Sequence, residues 1–325
     1  MKYNIQVTPL NPVEYLACCG VFEILARFDA NATSWWELES QPSFWLESGI
    51  DEASLLTCLT QTLSDWGQWQ AEEKALPGED AEEETEGEFD GVENEEAEAE
   101  VESGGEEEGE SSEGIRLRPR FSLNDNTACL ILDWWYETLT PQKKIKAKSA
   151  WKMYAGQQTA EKISRNMVTQ AAQLLRENSI ARLTDLIKLS VGMTGRFGFD
   201  PRSSRNALDA GYSANDLNLP IATYPFAEML TALATQYFFP QRNQPGAGIT
   251  SSRGWIRNDV FQYALWKTPL PITLARVAAI GAAINKDDVI PLQAERANRD
   301  KYSNFRMATM TVWKEEEPGA MRRQR

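Results

Sequence analysis

Apolar and polar residues change their period several times along this chain, and each change marks an element. The opening "KYNIQVTPL" alternates weakly, which predicts a strand over residues 2–8. "NPVEYLACCGVFEILARFD" then turns helical. Asn11 suits an N-cap, Pro12 the first helical position, and Glu14 a capping box at the third. Val13, Leu16, Ala17, Val21, Ile24, Leu25 and Phe28 give a wide apolar face, so the helix over 12–28 is predicted to be buried. Gly20 in its middle costs about 1 kcal/mol relative to Ala, and a close helix-on-sheet contact is the expected reason for it. "TSWWELES" and "SFWLES" read as a hairpin. "DEASLLTCLTQTLSDW" reads as an amphipathic helix over 51–66 with acidic residues at its N-terminus.

"IRLRPRFSL" and "TACLILDWWY" read as paired strands, the first placing Arg116, Arg118 and Arg120 on one face about 7 Å apart. Gly156 interrupts the pattern. The spacing of Ile163, Met167, Ala171 and Leu174 predicts a helix over 158–178, with Lys162 and Arg165 off that apolar line. A short helix at 181–190, a loop-rich stretch from Gly195 to Gly211 and a helix at 224–238, entered through Tyr224-Pro225, come next. "RGWIRNDVFQYALWKTPLP" reads as a strand pair or one long strand, "TLARVAAIGAA" as a helix at 273–283, and "YSNFRMATMTVWK" as a closing strand before a basic "RRQR" tail. The succession is that of an α+β protein with a mainly antiparallel sheet, packed helices and a more helical second half.

At 325 residues the chain is long enough for one large core or two ordinary domains. Its formal charge of −15 is unevenly spread. Residues 71–114 hold 21 Asp/Glu and one Lys, a net −20. Residues 1–70 stand at −7, whereas residues 115–325, with 30 basic and 18 acidic residues, stand at +12. The organisation that follows is an α+β region from 1–70 and 115–140, an acidic insert at 71–114, and a basic, helix-rich region with closing strands at 141–325. The insert has too few large apolar residues to offset its ordering entropy, which predicts disorder. It is either a solvated spacer or a polyanion that competes for the protein's own basic surface. No window of 18 apolar residues and no secretory block at the N-terminus occur, so a cytoplasmic location is expected. Cys18, Cys19, Cys58 and Cys129 form no CxxC pair and read as buried thiols.

The chain has no histidine, which removes Ser-His-Asp and Cys-His nucleophiles and His-ligated zinc. A nuclease using only Asp and Glu to hold metal stays open, but no tight acidic constellation outside the insert supports one. There is no internal repeat, no P-loop and no GxGxxG, and no cofactor is implied. The basic residues are the functional signal. Residues 142–165 carry seven Lys/Arg against one Glu. Lys143, Lys144, Lys146, Lys148, Lys152, Lys162 and Arg165 are candidate phosphate contacts, Trp151 a candidate base platform, and Gln157 and Gln158 candidate donors. Arg196, Arg202 and Arg205 from the loop-rich stretch and Arg253 and Arg257 from "SSRGWIR" complete the nucleic-acid-binding set.

Three stretches in this order, "NPVEYLACCGVFEIL", "AWKMYAGQQTA" and "FDPRSSRNALDAGYSANDLNLPIATYPFAEMLTALATQYFFP", resemble the short CRISPR-associated large-subunit-like proteins of Dpsyc and type I-G (formerly I-U) systems. The resemblance spans most of residues 5–240, and the acidic insert is not part of it. It implies a non-enzymatic subunit of a type I surveillance complex of the Cascade kind. Such large subunits recognise a short motif beside the target on double-stranded DNA, help open the duplex and help recruit the helicase-nuclease, while the guide RNA reads sequence by pairing. The implied partners are other complex subunits, guide RNA, target duplex DNA and that effector, with no membrane. The alternative, from the residues alone, is a protein–protein scaffold without direct nucleic-acid contact.

Overall fold

A computed structural model describes residues 1–39, 41–66, 115–117, 130–132, 151, 153–154, 160–203, 220–238, 256–257, 259–281, 286–299 and 302–312. The chain is α+β, with antiparallel sheets throughout. The acidic stretch 71–114, most of "IRLRPRFSL" and the lysine-rich 143–150 lie outside the described residues.

Strands β1 (Lys2–Gln6), β2 (Thr33–Glu37) and β3 (Ser43–Glu47) form one sheet with β10 (Leu270–Pro271), in the order β1-β3-β2-β10. The pleat sends Tyr3, Ile5, Trp36, Phe44 and Leu46 to one face. That face is covered by α1 (Pro12–Phe28): Tyr15 stacks on Trp36 at 5.5 Å between ring centroids, and Phe22 meets Phe44 edge-on at 6.4 Å. The second sheet runs β12 (Tyr302–Phe305), β11 (Val289–Arg299), β9 (Val260–Trp266), β8 (Ile256–Arg257), and β13 (Thr309–Met310) also pairs with β11. Two hydroxyls and an indole tie the layers together. Tyr15 donates to the Ala264 carbonyl at 3.0 Å, Tyr263 to the Pro9 carbonyl at 2.7 Å, and Trp266 Nε1 to the Ser34 carbonyl at 2.7 Å. Each satisfies a polar atom that burial would otherwise leave costly.

The centre is a helix pair, α1 against α5 (Pro225–Tyr237). Every residue of α1 from Pro12 to Leu25 is buried, which its near-continuous apolar sequence requires. Gly20 is where the two backbones touch: a Cβ there would sit 2.3 Å from the Leu230 carbonyl oxygen. The contact is helix on helix, not helix on sheet as the sequence suggested. Asn11 caps α1 by accepting the Val13 amide at 3.0 Å. The capping box does not close, because the Asn11 amide donates to the Thr8 carbonyl and the Glu14 carboxylate reaches on to the Thr8 amide at 2.6 Å.

Helix α2 (Glu52–Trp66) packs on α3 (Ala160–Glu177), which also packs on α5 beside the short α4 (Leu183–Lys188). β4 (Ile115–Leu117) pairs antiparallel with β5 (Leu130–Leu132) and β6 (Val191–Met193) with β7 (Ile221–Thr223), and α6 (Ile272–Ala279) follows β10. The ambiguous "RGWIRNDVFQYALW" resolves as a strand pair, turned at Asp259 with φ 60°. An Asp tolerates that left-handed backbone, and its carboxylate and carbonyl both bond Arg296. The closing strand is in fact two, β12 and β13, broken where the Ala308 amide donates to the Leu10 carbonyl. The second half also carries the longest strand, β11, which the pattern did not reveal. Pro291 lies within it, a residue that is rare inside a strand paired on both sides.

The core is continuous from Tyr3 to Ala308, so the change near residue 140 is one of charge while packing runs across it. Among the described residues no helix is long and apolar enough to cross a membrane.

Candidate functional site

The helix entrances at Asn11-Pro12 and Tyr224-Pro225 put a carboxylate in the first turn of each central helix, Glu14 in α1 and Glu228 in α5. Between them runs the stretch Phe197–Ser203. Arg202 is its hub. Nε and Nη2 form a fork onto Asp200 at 3.0 and 2.6 Å, Nη1 reaches Glu14 at 2.6 Å, and the guanidinium lies 3.6 Å over the Tyr224 ring. Burial alone would lower the Arg202 pKa, but the bonds and charge of Asp200, with Glu14, raise it above its ordinary value. Asn11, while capping α1, also donates to Asp200 at 3.4 Å. The Asp200 amide donates to Glu228 Oε1 at 3.1 Å, and Ser203 Oγ donates to the Ala222 carbonyl at 2.8 Å. Residues nearly 190 positions apart are thereby joined by buried polar contacts.

The stretch "AWKMYAGQQTA" joins the same junction through Tyr154. Tyr154 packs on Phe197, which stacks on Phe199 at 5.4 Å beside Asp200. Met153 O accepts the Ser303 amide, and Gly198, at φ 85°, lets the chain pass within contact of both Met153 and Ser303. Residues from "NPVEYLACCGVFEIL", "AWKMYAGQQTA" and "FDPRSSRNALDAGYS" therefore meet in one place.

Of the predicted nucleic-acid contacts, the structure brings two onto one exposed surface. Lys162 and Arg165 stand on the solvent side of α3, in a stripe with Thr169, Gln173 and Arg176. Ile163, Met167, Ala171 and Leu174 on the opposite side are buried. Positions 162, 165, 169, 173 and 176 repeat at three and four residues, so they share one face of the helix over roughly 21 Å. Glu177 at the end of the helix accepts from Gln173 at 2.7 Å.

Two predicted residues are corrected. Trp151 is wholly buried, its ring edge-on to Phe261 at 5.1 Å and Phe305 at 6.0 Å, so it is core and offers no face to a base. Arg202 is spent on Asp200, Glu14 and Tyr224 rather than held out for phosphate. Arg196 is half-buried beside the cluster. Arg257 lies in β8. Lys143, Lys144, Lys146, Lys148, Lys152, Gln157, Gln158, Arg205 and Arg253 lie outside the described residues.

The residues that sequence reasoning missed are Asp200, Tyr224 and Glu228. A signal existed for Glu228: it is the only charged residue in "PFAEMLTALATQY", as Glu14 and Glu23 are in most of α1. A lone carboxylate in an apolar helix must find a buried partner. Cys18, Cys19 and Cys58 are free thiols, and burial pushes each pKa up, which leaves them unreactive. Among the described residues no group of three or more His, Cys, Asp or Glu is arranged to hold a metal ion. Comparison of the chain with protein-family models, with curated proteins and with solved structures found no match in any of the three.

Proposed function

We propose that this protein is a non-catalytic nucleic-acid-binding subunit of a type I CRISPR interference complex of the Cascade kind, contributing to target DNA recognition. The observation that carries the reading is the α3 stripe. Lys162, Arg165 and Arg176 face solvent along one side of a helix whose other side is anchored in the core, inside a region of net charge +12. A rigid row of cations follows a phosphate backbone without reading its bases. The lysine-rich residues 143–152 and Gln157–Gln158 run directly into this helix in the sequence. The resemblance of the three converging stretches to type I large subunits supplies the complex, the guide RNA and the helicase-nuclease as partners.

Fluorescence anisotropy with duplex DNA and with single-stranded RNA, across a salt series, tests it. Affinity should fall steeply with salt, and Lys162→Glu with Arg165→Glu and Arg176→Glu should weaken binding and flatten the slope by about 0.9 per lost duplex contact. A salt-independent affinity, or a triple variant that binds as wild type, refutes it. Metal-dependent cleavage by the purified chain would overturn the non-catalytic part. Co-purification of a guide RNA with the neighbouring gene products tests membership of the complex.

A second reading, a scaffold that meets only protein, is favoured by one surface feature. Met307, Met310 and Val312 around β13 are 47, 66 and 88% exposed, an apolar sheet edge of the kind partners cover. Flat salt dependence with retained complex assembly would select it.

A further inference from the structure

Glu228 is wholly buried in the first turn of α5. Its Oε1 accepts the Asp200 amide at 3.1 Å, while Oε2 meets no donor. The Asp200 and Phe199 amides and the charge of Arg196 offset only part of what burial and the neighbouring Asp200 charge cost an ionised carboxylate there, so the neutral form is favoured. The loop presents Asp200 and Arg202, with Arg196 near enough to act on Glu228. From α1 comes Glu14, across Arg202, and Tyr224 at the entrance of α5 lies under the guanidinium. The buried side chains of α3 and α4, which also pack on α5, carry no charge, and neither does the sequence of β5. Three carboxylates thus share two guanidiniums, and one proton makes the cluster neutral.

We propose that Glu228 is a proton-held latch on the Asp200–Ser203 turn: neutral, it lets the turn close on α5, and ionised, it opens the turn. The transmission is short. The Asp200 amide rests on Glu228, the Asp200 carboxylate grips Arg202, Arg202 spans to Glu14, and Ser203 ties the turn back to Ala222. Burial, then the charge of Asp200, push the Glu228 pKa up to about 8. In the open turn the carboxyl meets water and returns to the ordinary carboxylate range, so opening releases a proton and becomes more favourable as pH rises between the two values. The latch does not depend on what the protein binds.

Amide hydrogen exchange on the full chain tests it, in wild type and Glu228→Gln, whose side chain keeps the shape of the neutral acid. Amides of α1 from Val21 to Leu25 serve as reporters of global unfolding. After correction for intrinsic exchange, opening at the Asp200, Arg202 and Ser203 amides should rise by up to about tenfold per pH unit between about pH 5 and 8 in wild type. It should be flat in Glu228→Gln, and in both proteins faster than in α1. Equal pH dependence in the two proteins overturns the latch. So does exchange of the turn and α1 at one common rate, because the turn then opens only when the whole protein unfolds.

Discussion

Replacing Gly20 by Ala sets two effects against each other, and the structure gives the size of each. Alanine in mid-helix gains about 1 kcal/mol over glycine from backbone entropy. The new methyl, however, would lie 2.3 Å from the Leu230 carbonyl oxygen, 3.0 Å from its carbon and 3.2 Å from its Cα. These are main-chain atoms of a buried helix, so no rotamer change relieves the clash, and α1 and α5 must move apart. Thr231 Oγ1, which donates to the Val13 carbonyl at 3.2 Å, would be stretched as they do. Overpacking of a well-filled core costs about 1–3 kcal/mol where side chains yield, and a backbone contact belongs at the upper end. The expected net loss is about 2 kcal/mol, read as a lower urea midpoint at unchanged slope. Gly49→Ala is the control: its Cβ would meet only the Asp29 carboxylate at 3.6 Å, so the change should stay within about 0.5 kcal/mol. A Gly20→Ala protein as stable as wild type, or more so, would refute the close-packed helix pair.

Arg202→Gln should destabilise the fold by about 3 kcal/mol, since Asp200 and Glu14 would lose the guanidinium they share; Arg202→Lys should restore little, because a single ammonium cannot reproduce the fork, and thermal melts of the two variants check this. Trp151→Ala should cost about 3–5 kcal/mol in chemical denaturation, whereas a base-stacking tryptophan would lower affinity at constant stability. Wild-type stability should decline as pH rises from about 5 to 8. Glu228 holds its proton more tightly folded, with a pKa of about 8, than unfolded, so its contribution is complete below the unfolded value and lost through the folded one. Glu228→Gln should remove that decline, and urea midpoints at each pH measure it.

Local chemistry was legible where it decides the outcome locally. The helix over 12–28 appears with the bounds its cap and Pro12 imply, the hairpin of "TSWWE" and "SFWLE" pairs Trp35 with Trp45, and the periodicity of 160–177 separates a buried from a polar face as expected. β11 was not legible, because Leu292 and Ala294 are its only fully buried apolar positions and Pro291 disguises it. Its pairings with β9 and β13 join residues well apart in sequence, and only the turn to β12 is local. The candidate site divided in the same way. The solvent-facing cations of α3 follow from helical spacing, whereas Trp151 and Arg202 look like ligand-binding residues until the distant residues they meet, Phe261 and Phe305 for one and Glu14 for the other, are known.

By itself, then, the amino-acid order determined the α+β class, the main helices and the Asn11 cap, and the separation of an acidic from a basic stretch, because propensity, periodicity and charge act over a few residues. Tertiary structure alone decided that Gly20 meets Leu230, that Glu14, Asp200, Arg202 and Glu228 share one buried junction, and that burial raises the pKa of Glu228. Burial sets the energy of a charge, and burial is a property of everything packed around it.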